Sequence, residues 1–274
     1  MKIGSCSVLL AALCHWPVLA VASAADDSIR LAREVAAHVQ ENQYGHKGVF
    51  NTPDIRELPN SMFDVHTDCS GFVTWVLDRT APVAVSEVAR YQQEMTSHRK
   101  WPQAYVYQRW FASLPVSGSR GWMPVQDWRT IRAGDVLAWC ADKYCQSAGD
   151  GVAHTDNTGH IMIADGAPER VEGDALERLK RTLGDHDSEL PDRTHAVWSI
   201  PLVDSSASKH YGDTTRSKAK GLSGVGTGQL YFALDRDSKP LGVQFPGGPF
   251  LCTGCIAKDG NREVINLSAA RPKR

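Results

Sequence analysis

The chain has no excess charge of either sign. Lysine and arginine total 30 against 31 aspartate and glutamate, and only the short Arg271-Pro272-Lys273-Arg274 tail is a charged block. Composition therefore asks for neither nucleic acid nor an anionic membrane surface as partner. The chain also lacks an integral membrane span: the apolar run from Val8 to Val21 is short and is broken by His15 and Pro17, whereas a spanning helix needs about 20 apolar residues. No internal repeat is present, which excludes solenoids and propellers. What remains is 274 residues, 42% hydrophobic and 22% charged, the balance of one generous soluble domain or two small ones.

The N-terminus has Lys2, the apolar run, and then the small residues Ala22-Ser23-Ala24 ahead of Asp26 and Asp27. This is the pattern of a secretory signal peptide over residues 1–24, with cleavage expected after Ala24 and the alternative cut after Ala22. Cys14 raises a lipoprotein reading, but Leu13 before it is bulkier than such signals carry. Export implies a periplasmic or secreted location. Without the signal five cysteines remain: Cys69, Cys140, Cys145, Cys252 and Cys255. In an oxidising compartment an odd number suggests two disulfides and one free thiol, with Cys69 standing alone. Four-cysteine zinc ligation is the rival for the other four. Cys252-x-x-Cys255 also suits a redox pair, but no βαβ unit surrounds it.

Apolar residues at 29, 32, 35, 36 and 39 predict an amphipathic helix from Asp27. Residues Gly45 to Thr67 read as a loop, followed by a helix from Asp68 to Val76 or Leu77, and by further helices over Ser86–His98 and Gln103–Leu114. Strands are expected at Asp135–Trp139, Gly159–Ala164, Ala196–Val203 and Gln229–Leu234, with a hairpin turning at Asp235–Lys239. A surface helix fits Asp174–Leu183. Helices first and strands afterwards predict an α+β fold with helices on one side of an antiparallel sheet. Two stretches, near 165–195 and 205–228, stand out as insertions, the second as a long loop.

Thr67-Asp68-Cys69-Ser70-Gly71-Phe72-Val73 puts an isolated thiol where a loop becomes an apolar helix. Unpaired N–H groups and the positive helix end would lower its pKa and favour thiolate. The backbone N–H groups of Cys69 and Ser70 are then candidates for an oxyanion hole. The plainer alternative is a buried structural cysteine.

These residues resemble the nucleophile motif of the NlpC-type peptidases, papain-like enzymes that mostly cut peptide stems of bacterial cell wall. Arg132-Ala133-Gly134-Asp135-Val136-Leu137 is similar to that family's first strand, and Gly159-His160-Ile161-Met162-Ile163 to its histidine strand. The resemblance spans about half of the mature chain, between Asp68 and Asp204, and implies a papain-like fold over 25–274. Upstream, only Tyr44-Gly45 matches the family's aromatic and glycine-rich segment, and the interval is long. No separate cell-wall-binding repeat is present.

The resemblance implies Cys69 as nucleophile and His160 as base, and a thiol does need a base that is itself oriented by a third group. Position at the end of the following strand makes Asp204 the expected third member. His210 is the alternative, since relatives use a second histidine, and Asp165 is a weaker candidate because strand alternation turns it away from His160. Asp68 and Tyr44 are candidate substrate contacts. His154, Asp156 and His160 offer a metal reading, but their spacing fits no zinc signature, so no metal and no cofactor is expected. The implied activity is hydrolysis of an amide bond through a thioester, in cell-wall peptides. The rivals are an acyltransferase or transglutaminase-like enzyme on the same residues, and an inactive binding domain.

Overall fold

A computed structural model describes residues 23–45, 53–95, 101–141, 159–185, 189–210, 213, 215–216, 222–246, 248, 250–252 and 265–274. Five helices lie among them: α1 (Ala24–His38), α2 (Cys69–Thr80), α3 (Pro82–Met95), α4 (Ala104–Ser113) and α5 (Gly173–Asp185). The strands are β1 (Val39–Gln43), β2 (Asp54–Glu57), β3 (Phe63–His66), β4 (Trp122–Pro124), β5 (Val136–Ala141), β6 (Gly159–Ala164), β7 (Glu169–Arg170), β8 (Ala196–Ser206), β9 (Gly224–Leu234), β10 (Pro240–Gln244), β11 (Leu251–Cys252) and β12 (Ile265–Pro272). No described helix is long and apolar enough to cross a membrane.

The architecture is α+β. Nine strands form one antiparallel sheet in the order β11-β10-β9-β8-β6-β5-β12-β4, with β7 paired to β8. A second sheet runs β1-β3-β2, in which β1 and β3 are parallel.

Strand alternation in β5 and β6 separates two cores, and a third cluster lies under α5, around Leu179, Leu183 and Val197. Val136 and Ala138 of β5, with Ile161 and Ile163 of β6, face α1 to α4. Leu137 and Trp139, with Met162 and Ala164, face away into a second core with Trp128, Leu230 and Phe232. The four N-terminal helices thus share one side of the large sheet, as the order of elements predicted.

Helix α2 is buried without a break from Cys69 to Leu77 because it packs on α1, α3, β6 and β8 together; a helix apolar all round belongs in the middle of a fold. Its N-cap is Asp68, whose Oδ1 accepts from the Gly71 N–H at 2.6 Å and the Ser70 hydroxyl at 3.1 Å. Such a cap satisfies N–H groups that have no partner within the helix.

Three expectations need correction. Gly45–Thr67 is not all loop: β2 and β3 pair within it, Ile55 opposite Val65. The long loop expected over 205–228 is shorter, because β8 and β9 pair over their whole length, from Ala196 with Leu234 to Ser206 with Gly224. Strand β12, unforeseen, lies between β5 and β4. Small and polar residues such as Asn266, Ser268 and Ala269 weaken its β signal, and cross-strand partners more than a hundred residues away supply the pairing instead.

Candidate active site

Three tethers bring the site together. The Thr67 N–H donates to the Gln43 carbonyl at 3.2 Å, and the Gly45 N–H to the Thr67 carbonyl at 3.4 Å, which lays the end of β1 beside the loop before Cys69. The Ser205 hydroxyl donates to that same Thr67 carbonyl at 2.8 Å, joining the nucleophile loop to the strand that carries Asp204. Farther along, the Asn42 amide bridges Val225 through two 2.7 Å bonds, one given and one received.

Cys69 heads α2 as a buried free thiol, while Cys140 and Cys252 are disulfide-bonded. Cys145 and Cys255 lie outside the described residues, so the pairing expected from sequence falls there, as do His154 and Asp156 of the metal reading. The Cys69 sulfur is met by the backbone N–H groups of Ile161 and Ser70 and by the Tyr44 hydroxyl. Tyr44 is half-buried, and its own N–H donates to the Ser223 hydroxyl at 3.2 Å.

The thiol's ionisation differs from the expectation for a helix head. Burial, then the Asp68 carboxylate, and also Asp204, push the Cys69 thiol well up; the Ile161 and Ser70 N–H groups pull the other way without prevailing. The helix end does supply donors, but α2 is too deeply buried, and too close to carboxylates, for them to decide the balance. Tyr44 is pushed up as well, by burial first and then by Cys69, Asp68 and Asp204. The resting thiol is therefore neutral, and attack requires a base.

His160 stands near the start of β6, one residue before the Ile161 N–H that touches the sulfur. Its Nε2 lies 2.7 Å from Asp204 Oδ2, so its Nδ1 is the nitrogen not engaged by that carboxylate. Among the described residues no hydrogen bond joins the thiol to the ring, and catalytic hydrogen bonds are often long before substrate binds.

Asp204 is fully buried and serves three partners. Its Oδ2 also receives His210 Nε2 at 2.8 Å, and its Oδ1 receives Arg216 Nη2 at 2.5 Å. Burial alone would raise this carboxyl. The Arg216 guanidinium, then His210 and the hydrogen bonds from both histidines, hold it well below the ordinary carboxylate range. Asp204 and His210, offered as alternatives from sequence, are both in the site, with the carboxylate between two imidazoles.

The outer side of the cluster is aromatic. His160 lies 5.2 Å from the Trp139 ring and 5.6 Å from Phe245, and His210 stacks on Phe245 at 4.2 Å with an interplanar angle of 2°. Such packing limits water at Asp204, which strengthens its interactions with the imidazoles. One ligand atom from each of His160, Asp204 and His210 falls within 4.8 Å of the others, a set that a cation could share. The 2.7 and 2.8 Å spacings are those of hydrogen bonds, however, and Arg216 already brings positive charge to Oδ1.

The other site candidates fall as follows. Asp68 is the α2 cap, and its charge reaches both Cys69 and Tyr44. Asp165 is elsewhere: it pairs with Arg33 at 2.5 Å. Sequence reasoning missed Arg216, Asp213, Trp139 and Phe245. A signal for the first two exists in Gly224, Gly226 and Gly228, whose period of two marks one strand face stripped of side chains and so open to close backbone approach.

No protein-family model matches the chain, and comparison with curated proteins and with solved structures finds no match.

Proposed function

We propose that the chain is an exported cysteine hydrolase with an NlpC-type, papain-like arrangement, which opens an amide bond in cell-wall peptides. The observation that carries this reading is the Ile161 N–H on the Cys69 sulfur, one residue along the chain from His160, whose ring Nε2 is held by Asp204. Support for the roles that acyl transfer needs comes from His160 standing directly before Ile161 in the chain and from the Asp204 carboxylate on its Nε2.

The chemistry follows from that order. As Cys69 Sγ bonds to the carbonyl carbon, His160 Nδ1 takes the thiol proton, and Asp204 stabilises the imidazolium that forms. The carbonyl oxygen becomes an oxyanion, for which the backbone N–H groups of Cys69 and Ser70 and the Tyr44 hydroxyl are the nearby donors, each worth about 3 to 4 kcal/mol in a well-formed hole. His160 then gives its proton to the leaving nitrogen as the C–N bond breaks. Water, deprotonated by His160, displaces the thiolate and yields the acid and the free thiol.

Purified peptidoglycan incubated with the signal-free protein is expected to yield new peptide ends by mass spectrometry, and none with Cys69→Ala. No new ends with either protein would overturn the cell-wall substrate. Because the partner of His160 is an aspartate, as in transglutaminase-like sites, transfer to an added amine is the second reading. Amide products exceeding hydrolysis products would favour it.

A further inference from the structure

We infer that Arg216, held by Asp213, is a positioning residue that sets the charge and orientation of Asp204. The inference rests on the Cys69/His160 reading for its catalytic meaning, but not for its geometry. Both side chains of the Arg216–Asp213 pair are fully buried, an arrangement that is costly unless nearly every donor and acceptor is used.

The donors are used. Arg216 Nε donates to the Gly224 carbonyl at 2.8 Å, Nη1 to Asp213 Oδ2 at 2.7 Å and to the Thr227 carbonyl at 3.4 Å, and Nη2 to the Asp204 carbonyl at 3.0 Å as well as to Asp204 Oδ1. One planar guanidinium thus grips β8 and β9 and fixes the Asp204 backbone and carboxylate together, a geometry that an ammonium could not reproduce.

Asp213 is anchored in turn. Its Oδ1 accepts from the Thr215 N–H and hydroxyl, both at 2.7 Å, and from the Arg216 N–H at 3.1 Å. The sequence makes room for this on β9. A Cβ at Gly226 would lie 2.6 Å from Thr215 Oγ1, 2.8 Å from Arg216 Cγ and 2.9 Å from Asp213 Oδ2, and one at Gly228 would lie 2.8 Å from His210 Cδ2. The glycine face of β9 is the seat on which His210 and Arg216 reach the Asp204 carboxylate and Asp213 holds Arg216.

The charges in this cluster are two carboxylates, Asp204 and Asp213, against one guanidinium. The titratable groups facing it are His160 from β6, His210, and beyond them Cys69, Asp68 and Tyr44. Asp204 orients His160 only while it is ionised, so loss of the Arg216 cation raises the pH at which that function is lost.

The test follows the Asp204 carboxyl carbon by NMR across pH in protein labelled at aspartate, assigned with Asp204→Asn, alongside the rate of Cys69 alkylation by iodoacetamide. Arg216→Gln is expected to move the Asp204 titration upward by more than one pH unit and to slow alkylation at neutral pH about tenfold. Arg216→Lys is expected to restore the titration while recovering only part of the rate. Asp213→Asn keeps the turn acceptor at Oδ1 but removes the carboxylate that shares the guanidinium with Asp204, so it is expected to move the Asp204 titration in the opposite direction by a smaller amount, which covers the case in which Arg216→Gln does not fold. An Asp204 titration unmoved in folded Arg216→Gln, or in folded Asp213→Asn, would overturn the inference. Failure of the hydrolase reading shows elsewhere, as alkylation that His160→Ala leaves unchanged.

Discussion

Cys69 is neutral at rest because burial and two carboxylates outweigh the N–H groups at the head of α2. Asp68 is the closer lever, since the same side chain caps the helix and opposes the thiolate. Asparagine caps a helix about as well as aspartate, so Asp68→Asn removes the charge and keeps the cap. The thiol pKa is expected to fall by about one unit, equivalent to a tenfold change in the ionised fraction. Iodoacetamide alkylation of Cys69 near neutral pH should rise about tenfold, with thermal stability nearly unchanged. A rate that did not change would mean that Asp68 does not set the ionisation of the thiol. Cys69, His160, Asp204 and His210 were legible in the sequence because short motifs and strand ends fix their places. Arg216 and Asp213 were not, because a buried ion pair in a non-periodic stretch leaves no pattern of its own; only the alternating glycines of β9 give it away.

Among the elements, α1 bears on maturation. Ser23 is its N-cap: the hydroxyl accepts from the Asp26 N–H at 3.2 Å, while Asp26 accepts the Ser23 N–H at 3.0 Å. This reciprocal capping box is followed by Ala24 and Ala25, both buried. A signal cut after Ala24 would remove the cap and leave a charged amine on buried Ala25. A cut after Ala22 keeps the cap and sets the new ammonium against the Asp26 carboxylate. If the chain is exported, it is therefore expected to begin at Ser23, as N-terminal sequencing would show, and Ser23→Ala should cost about 1 kcal/mol of stability in urea denaturation. A chain beginning at Ala25 with full stability would contradict this. The elements were otherwise read best where the pattern was continuous. Strand β6 and the buried half of α2 match the apolar runs, whereas β2, β3 and β12 are polar or mixed strands that take their shape from partners.

At the scale of the molecule, α+β segregation sets helices against one face of the sheet and puts the head of α2 at the edge of β6. The sheet then delivers His160, Asp204 and the glycine face of β9 to that same place. The order of helices and strands was visible along the chain, but their convergence was not, because it depends on β8 and β9 pairing over eleven residues each. The central claim is that this convergence makes Cys69 a nucleophile. It is tested most directly by quenching the protein in acid during turnover of a cell-wall peptide and weighing the fragment that contains Cys69. An acyl group on that fragment is expected, together with a loss of turnover of about a thousandfold or more in both Cys69→Ala and His160→Ala. Undiminished turnover in Cys69→Ala, with no acylated fragment in the parent protein, would contradict the account.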